Sequence, residues 1–324
     1  MRYIVLGAGA IGGAIGGRLH QHGESVVLVA RGVHEEVMAA RGLELRDPDA
    51  TALLDVAVVP AVAAAEPGRD DVVLLATKSQ QSDAALAELA ACAPASVSVV
   101  CAQNGVANEA AALRRFPNVY GMRVIVAATH LEAGVVEIST APVSGILDIG
   151  RFPRGEDELS AALAAALARA SFDARSVGTV MDHKYLKLLA NLSNAIEAAC
   201  GHRLDDPILV ALDEAARREA RACFEAAGIV VADPLAEQER RSRRGPARPV
   251  GGIERHGGSS FQSLARRTGD IEADYLNGEI VLLGRLYGVP TPVNERLQAV
   301  AGLLARTRAG PGSIPAAEVA AGLL

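Results

Sequence analysis

The chain has 324 residues, half of them hydrophobic, a formal net charge of −6, 3% aromatic residues and no tryptophan. That length predicts two domains with sizeable cores. The charge and the scarcity of aromatics exclude a basic nucleic-acid groove or an aromatic stacking platform, and no apolar run is long enough to span a membrane.

The first stretch carries the strongest signal. A β-forming run, Tyr3 to Leu6, leads into Gly7, Gly9 and Gly12 in a G-x-G-x-x-G pattern, with Ala10 and Ile11 inside it. A helix is predicted to Gln21, a break at His22-Gly23-Glu24, and a second strand over Val26 to Val29. Strand, glycine turn, helix and strand within about 30 residues form a dinucleotide-binding fingerprint. Gly7 permits the turn, Gly9 leaves room for a pyrophosphate, and Gly12, helped by Gly13, Gly16 and Gly17, lets the helix pack closely. The helix N-terminus offers unpaired N–H groups and partial positive charge to phosphate. After the second strand no carboxylate waits for a ribose hydroxyl. Arg31 stands there instead and can bind a 2′-phosphate, which predicts NADP(H) as cofactor.

Helical sequence over Glu35 to Arg41 leads to short strands at Leu43 to Leu45 and Val56 to Val59. Asp70 to Ala76 reads as a buried parallel strand, followed by Thr77-Lys78 and a helix over Ser82 to Ala91. Val97 to Cys101 is the next strand, ending in Gln103-Asn104-Gly105 before a helix over Ala107 to Leu113. This alternation predicts a doubly wound sheet with ligands beyond the carboxyl ends of its strands. Lys78 and Asn104 sit just past two such ends. Val119 to Ala128, Gly134 to Ser139 and Ile146 to Gly150 are expected as an antiparallel addition that closes the first domain. A helix over Glu156 to Ala170 and an extended piece over Phe172 to Val180 follow.

These readings predict an α/β Rossmann-type N-terminal domain, residues 1–180, followed by an all-α domain, residues 181–324. In the second, one long helix is expected over Met181 to Cys200 and another over Pro207 to Ala227. Glu237 to Gly258, with its run RRSRRGPARPV, reads as an exposed loop. Helices are expected to begin near Ser259-Ser260, to run from Asp270 to Tyr287, and to run from Asn294 to Arg306. The apolar C-terminal helices either pair two subunits as a homodimer or close their own domain.

The chain keeps only three lysines, Lys78, Lys184 and Lys187, among 32 cationic residues. Lysine, unlike arginine, can give up its proton when desolvated. Asn191 and Asn194 fall about 40° and 20° to either side of Lys187 on a helix. One ammonium and two amides thus share a stripe that wants a polar ligand or network. Lys184 reads as an exposed surface lysine. Ser259 reads as a helix cap, Ser260 and Glu272 as site candidates, and Asp274 and Asn277 as weaker ones. His130 reads as structural. The pair His20-x-His22 lacks further metal ligands, and no metal site is expected. The four cysteines, Cys92, Cys101, Cys200 and Cys223, form no C-x-x-C pair. An N-terminal core strand in place of a signal peptide fits a reduced, cytoplasmic protein.

The marks taken together resemble the ketopantoate reductase (2-dehydropantoate 2-reductase) family over nearly the whole chain. They are GAGAIG, Arg31, Thr77-Lys78, Gln103-Asn104-Gly105, Lys187-x-x-x-Asn191, Ser259-Ser260, the segment from Glu272 to Gly278, and GVPTPVN. The resemblance implies an enzyme that reduces a small 2-keto acid with NADPH. It implies cofactor contacts from Gly7, Gly9, Ala10, Ile11, Gly12, Arg31, Lys78, Asn104 and Glu272. Lys187 would be the general acid, supported by Glu272, and Asn104, Asn191 and Ser260 would bind substrate. The family's second asparagine, eight residues after the lysine, is here Ala195; either Asn194 substitutes for it or the acyl pocket differs. Other readings are reduction of another branched or aromatic 2-keto acid, and a non-catalytic NADPH-binding regulatory protein.

Overall fold

The computed structural model describes residues 1–201, 205–254 and 257–324, and the backbone alone at residues 243 and 244. The first half alternates as expected: β1 (Arg2–Leu6), α1 (Ala10–Gln21), β2 (Ser25–Val29), α2 (Gly32–Arg41), β3 (Leu43–Arg46), β4 (Thr51–Leu54), β5 (Ala57–Val59), β6 (Asp71–Leu75), α3 (Ser82–Cys92), β7 (Ser98–Cys101), α4 (Asn108–Leu113), β8 (Val119–Val126), β9 (Ala128–Thr129), β10 (Val135–Ile138), β11 (Gly145–Arg151), α5 (Glu158–Arg169) and β12 (Asp173–Ser176). The rest is helical: α6 (Val180–Asn191), α7 (Ser193–Cys200), α8 (Pro207–Ala226), α9 (Pro234–Arg244), α10 (Ser259–Ala265), α11 (Asn277–Tyr287), α12 (Pro292–Arg306) and α13 (Ala316–Ala320). No helix among the described residues is long and apolar enough to cross a membrane.

The main sheet has the order β12-β11-β8-β7-β6-β1-β2-β5. Every neighbouring pair is parallel except β8 with β11. Alternation along β1 sends Tyr3 and Val5 into one buried cluster, and Ile4 and Leu6 into another. The strand order reverses between β1 and β6. Leu6 is level with both Val29 and Leu75, so the loops after β1, β2 and β6 emerge side by side.

The expected antiparallel addition is only partly one. β11 does join the main sheet beside β8, but β10 belongs to a second sheet of order β4-β3-β10-β9. The glycines of α1 explain why two sheets fit. A Cβ on Gly16 would lie 2.6 Å from Leu28 of the main sheet, and one on Gly13 would lie 2.7 Å from Val136 of the small sheet. The helix is therefore slim on two faces, one toward each sheet.

The chain divides into two compact units, Met1–Lys184 with Asp233–Arg255, and Tyr185–Ala232 with His256–Leu324. The sequence reading set its junction at residue 180 and did not foresee the return of the Asp233–Arg255 segment. That segment is only in part the expected exposed loop: α9 takes up Glu237 to Arg244, whereas residues 245–254 are non-helical and mostly exposed. Asp233 caps α9 by accepting from the Leu235 N–H at 2.8 Å, and Pro234 opens the helix. Its polar face then meets buried charge of the first unit. Arg123, 1% exposed, sits between Asp148 and Glu237, while Arg240 pairs with Asp148 and, at 2.7 Å, with Asp173. Ion pairs, not apolar burial, hold α9, so a hydropathy reading finds nothing to bury there. The side chains of Arg243 and Arg244, and residues Arg255 and His256 of the expected loop, lie outside the described residues.

Within the second unit, α8, α11 and α12 bury Leu212, Phe224, Ile280, Val281, Leu297 and Leu304. The Glu219 carboxylate accepts from the Val293 and Asn294 N–H groups at 2.9 and 3.0 Å, which satisfies the start of α12. The helix expected over Met181 to Cys200 is divided at Leu192, which keeps helical angles (φ −63°, ψ −31°). The Leu192 carbonyl accepts from Asn277 Nδ2 at 3.2 Å. The helix expected from Asp270 to Tyr287 is also divided, into a 3₁₀ turn over Glu272–Tyr275 and α11, because Leu276 leaves helical space (φ −117°, ψ −87°).

Candidate functional site

Two groups of candidate residues form, one in each unit. In the first unit, Gly7 and Ala8 both donate their N–H to the Val29 carbonyl at 3.1 Å, locking the glycine turn against the end of β2. Gly7 has φ +103°, and a Cβ on it would meet the Thr77 backbone nitrogen at 2.8 Å. On Gly12 a Cβ would stand 2.0 Å from the Gly7 carbonyl oxygen, so only glycine permits this approach of helix to turn. Gly9 differs: nothing lies within 4 Å of its Cβ position. It precedes α1, whose first turn has no side-chain cap and no acidic residue. An open cradle at an uncapped helix N-terminus fits a pyrophosphate, and Ala10 and Ile11 supply the first N–H groups of that helix.

Arg31 follows β2 and caps α2 by position. Its Nη2 donates to both Glu88 oxygens on α3, at 2.8 and 2.6 Å. Lys78 and Asn104 lie half-buried just past β6 and β7, as expected. Gln103 binds their two loops together. Its Nε2 donates to the Thr77 carbonyl and to Ser82 Oγ, each at 2.7 Å. Asn108 Nδ2 adds a bond to Ser79 Oγ at 3.0 Å.

Lys184 is not the exposed surface lysine of the sequence reading. It is 3% exposed and pairs with Glu109, which is 0% exposed, while its Nζ also donates to the Gln103 carbonyl at 3.1 Å. A helical angle cannot reveal this, because the partner lies 75 residues earlier in the chain. The rarity of lysine was the available signal, and it pointed equally at all three.

In the other group, α6 carries the half-buried Lys187 and Asn191 one turn apart. Asn191 Oδ1 is buried and has no hydrogen-bond partner among the described residues. Asn194 lies in the first turn of α7, facing the start of α10: its Oδ1 stands 3.2 Å from where a Gly258 Cβ would lie. The Gly258 N–H donates to Glu197 at 2.7 Å. Gly258 is the residue that precedes α10, so Ser259 is not the side-chain cap expected; Ser259 and the buried Ser260 lie in the first turn. Ala195 is buried, 3% exposed, and Asn194 is the half-buried amide of the pair. Glu272 is buried in the 3₁₀ turn. Burial pushes the Arg266 guanidinium down, with Asp270 and Glu272 opposing that shift.

Asn277, a weaker candidate, has a structural position: besides Leu192 it donates to Asn294 Oδ1 at 3.0 Å in the interior. His130 packs against His34 with the ring planes tilted by 41° and centroids 4.0 Å apart, and its Nδ1 lies 3.1 Å from the Val135 carbonyl. His34 itself was not singled out from the sequence. Its Nε2 donates to the Ala8 carbonyl at 2.8 Å, and its Nδ1 accepts from the Gly134 N–H at 2.9 Å. Both ring nitrogens are thereby assigned, in the neutral form, and the ring buttresses the glycine turn. Burial lowers its pKa, with the Ala8 bond opposing. No group of metal-binding residues occurs among the described residues.

Comparison with known proteins gives a consistent result. The family model described as ketopantoate reductase PanE/ApbA matches residues 3–154, and that for its C-terminal part matches residues 179–305. The 2-dehydropantoate 2-reductase of Pyrococcus horikoshii is 26% identical, covering 97% of this chain and 100% of the relative. That of Mesorhizobium japonicum is 29% identical, covering 95% and 99%. Among solved structures, a PanE/ApbA family ketopantoate reductase from Ralstonia eutropha JMP134 superposes with a TM-score of 0.80 at 28% identity, covering 95% of this chain and 99% of that one.

Proposed function

The chain belongs to the ketopantoate reductase family, and from that membership we propose that it reduces the ketone of a small 2-keto acid to a 2-hydroxy acid with NADPH. The substrate we propose is 2-dehydropantoate, which yields pantoate for pantothenate and coenzyme A synthesis. The observation that carries the reading is the buried Asn191 oxygen without a partner, one helical turn from Lys187. A buried acceptor left unsatisfied costs about 1–3 kcal/mol. A hydroxyl of a bound ligand, donating to that oxygen, removes the penalty, and the neighbouring ammonium attracts the carboxylate of a keto acid.

The open Gly9 cradle and the Arg31 position support a nicotinamide dinucleotide on the first unit. When bound, NADPH supplies the hydride. Lys187 supplies the proton and the opposing charge for the oxygen of the ketone being reduced. Glu272 orients that lysine, and Ser260, Asn191 and Asn194 hold the acid and hydroxyl oxygens of the substrate. Lys78 and Asn104 would stand near the bound cofactor, and Asn104 near the substrate as well. Fixing the reacting carbon against the nicotinamide contributes the proximity part of the rate. Four free cysteines fit a reducing, cytoplasmic compartment.

A second reading, reduction of a branched or aromatic 2-keto acid, is favoured by Ala195 standing where the family has asparagine. Steady-state NADPH oxidation across a panel of 2-keto acids separates the two. The highest kcat/KM is expected with 2-dehydropantoate; a branched or aromatic acid in that rank replaces it as substrate. Tight NADPH binding without turnover on any member of the panel ends the enzyme reading in favour of a regulatory protein.

A further inference from the structure

We propose that Glu88 sets the choice between NADPH and NADH in this site by competing with the 2′-phosphate for Arg31. The sequence directly after the second strand shows an arginine and no carboxylate. The fold supplies the carboxylate from elsewhere: Glu88, 57 residues further on in α3, takes both of its oxygens to Arg31 Nη2 at 2.8 and 2.6 Å. Arg31 in turn stands two residues after Val29, whose carbonyl anchors the glycine turn. A carboxylate is thus delivered to the sheet edge where dinucleotide folds read the adenosine ribose.

The chemistry of the two cofactors differs only there. A 2′-phosphate must share or displace Glu88 on the same guanidinium, and it also meets the negative charge of the displaced carboxylate. A 2′-hydroxyl meets no such competition, because it donates to a carboxylate as it does in NAD sites. Both partners are solvent-exposed, with side chains 68% and 43% accessible, so the pair exchanges readily and acts as a moderate brake on NADPH rather than a block. The inference rests on the nicotinamide reading above and deepens it: the chain discriminates weakly between the two cofactors, with Glu88 holding the ratio down.

The test is calorimetric binding of NADP⁺ and NAD⁺ to the wild type, E88Q, R31M and the double variant, alongside turnover with each reduced cofactor. E88Q is expected to tighten NADP⁺ by about two- to fivefold, the equilibrium weight of an exposed ion pair, without tightening NAD⁺. The gain is expected to shrink at high salt and to vanish in the R31M background. An unchanged NADP⁺ to NAD⁺ ratio in E88Q overturns the proposal, as does an equal gain in the R31M background. A wild type that binds both nucleotides but turns over no 2-keto acid removes the reductase reading alone, and the ratio in E88Q still decides the role of Glu88. A wild type that binds neither overturns both.

Discussion

Lys184 and Glu109 form an ion pair in the interior of the first unit, with side chains 2% and 0% exposed. The same ammonium holds the carbonyl of Gln103, the residue before Asn104. The pair therefore fixes the loop after β7 to the first turns of α6.

Removing one member strands the other charge in the core. K184M and E109Q are each expected to lower stability by about 3–5 kcal/mol, and the double change K184M/E109L to recover most of the loss. Urea denaturation followed by circular dichroism measures this. Single variants as stable as the wild type would show that the pair carries no structural weight.

Gly9 and Gly12 separate binding from folding. Gly9→Ala adds a methyl into open space at an extended backbone, so its unfolding free energy should stay within about 0.5 kcal/mol of the wild type. The same methyl occupies the cradle, and dinucleotide affinity should fall by tenfold or more on the order of one lost close contact and helix-end bond. Gly12→Ala meets the Gly7 carbonyl at 2.0 Å and should cost about 1–3 kcal/mol of stability or more. Calorimetry and urea melts on the two variants check both halves. Equal behaviour of the two would contradict the geometry.

His34 predicts an acid dependence. Burial lowers its pKa in the folded protein, whereas in the unfolded chain the ring protonates at about pH 6.5. Below that value the unfolded state binds more protons, so the contribution of His34 to stability is full above about pH 6.5 and is lost as pH falls through the lower folded pKa. His183 is shifted the same way, first by burial and then by Arg123 and Arg240, with Asp148 and Glu237 opposing. Urea midpoints between pH 7.5 and 5 should therefore decline, less steeply in H34Q. Dinucleotide affinity should weaken over the same range, because the protonated ring can no longer accept from Gly134 beside the glycine turn. An identical slope in H34Q would assign the decline elsewhere.

For the reaction itself, Lys187→Ala should lower kcat by about 10²–10⁴-fold, the size of a lost general acid, with NADPH affinity retained. Single-turnover kinetics with the preferred 2-keto acid measures the first and calorimetry the second. Wild-type turnover in this variant would remove Lys187 from the proposed chemistry.

What the sequence made visible was local. β1, α1 and β2 were legible because β-branched runs and glycines agree at short range with the final fold, and α8 because Asp206 and Pro207 announce its start. β4 went unseen because it is a four-residue strand of the small sheet with only Leu54 buried. α9 hid because its partners, Asp148 and Asp173, lie far away in sequence. Likewise the candidate site was legible in residue type and spacing, whereas Glu88, Glu109 and His34 owe their positions to long-range packing that no spacing encodes.

The contribution of α9 to the charge network has a consequence for how the protein is made. Arg123 and Asp148 lose Glu237 and Arg240 in any fragment that stops at residue 184, and a buried guanidinium and carboxylate are left short of partners. The N-terminal lobe is thus unfinished when its own last strand leaves the ribosome, and its maturation waits for residues translated after much of the helical lobe. Severing the chain between the lobes would not yield two self-sufficient halves.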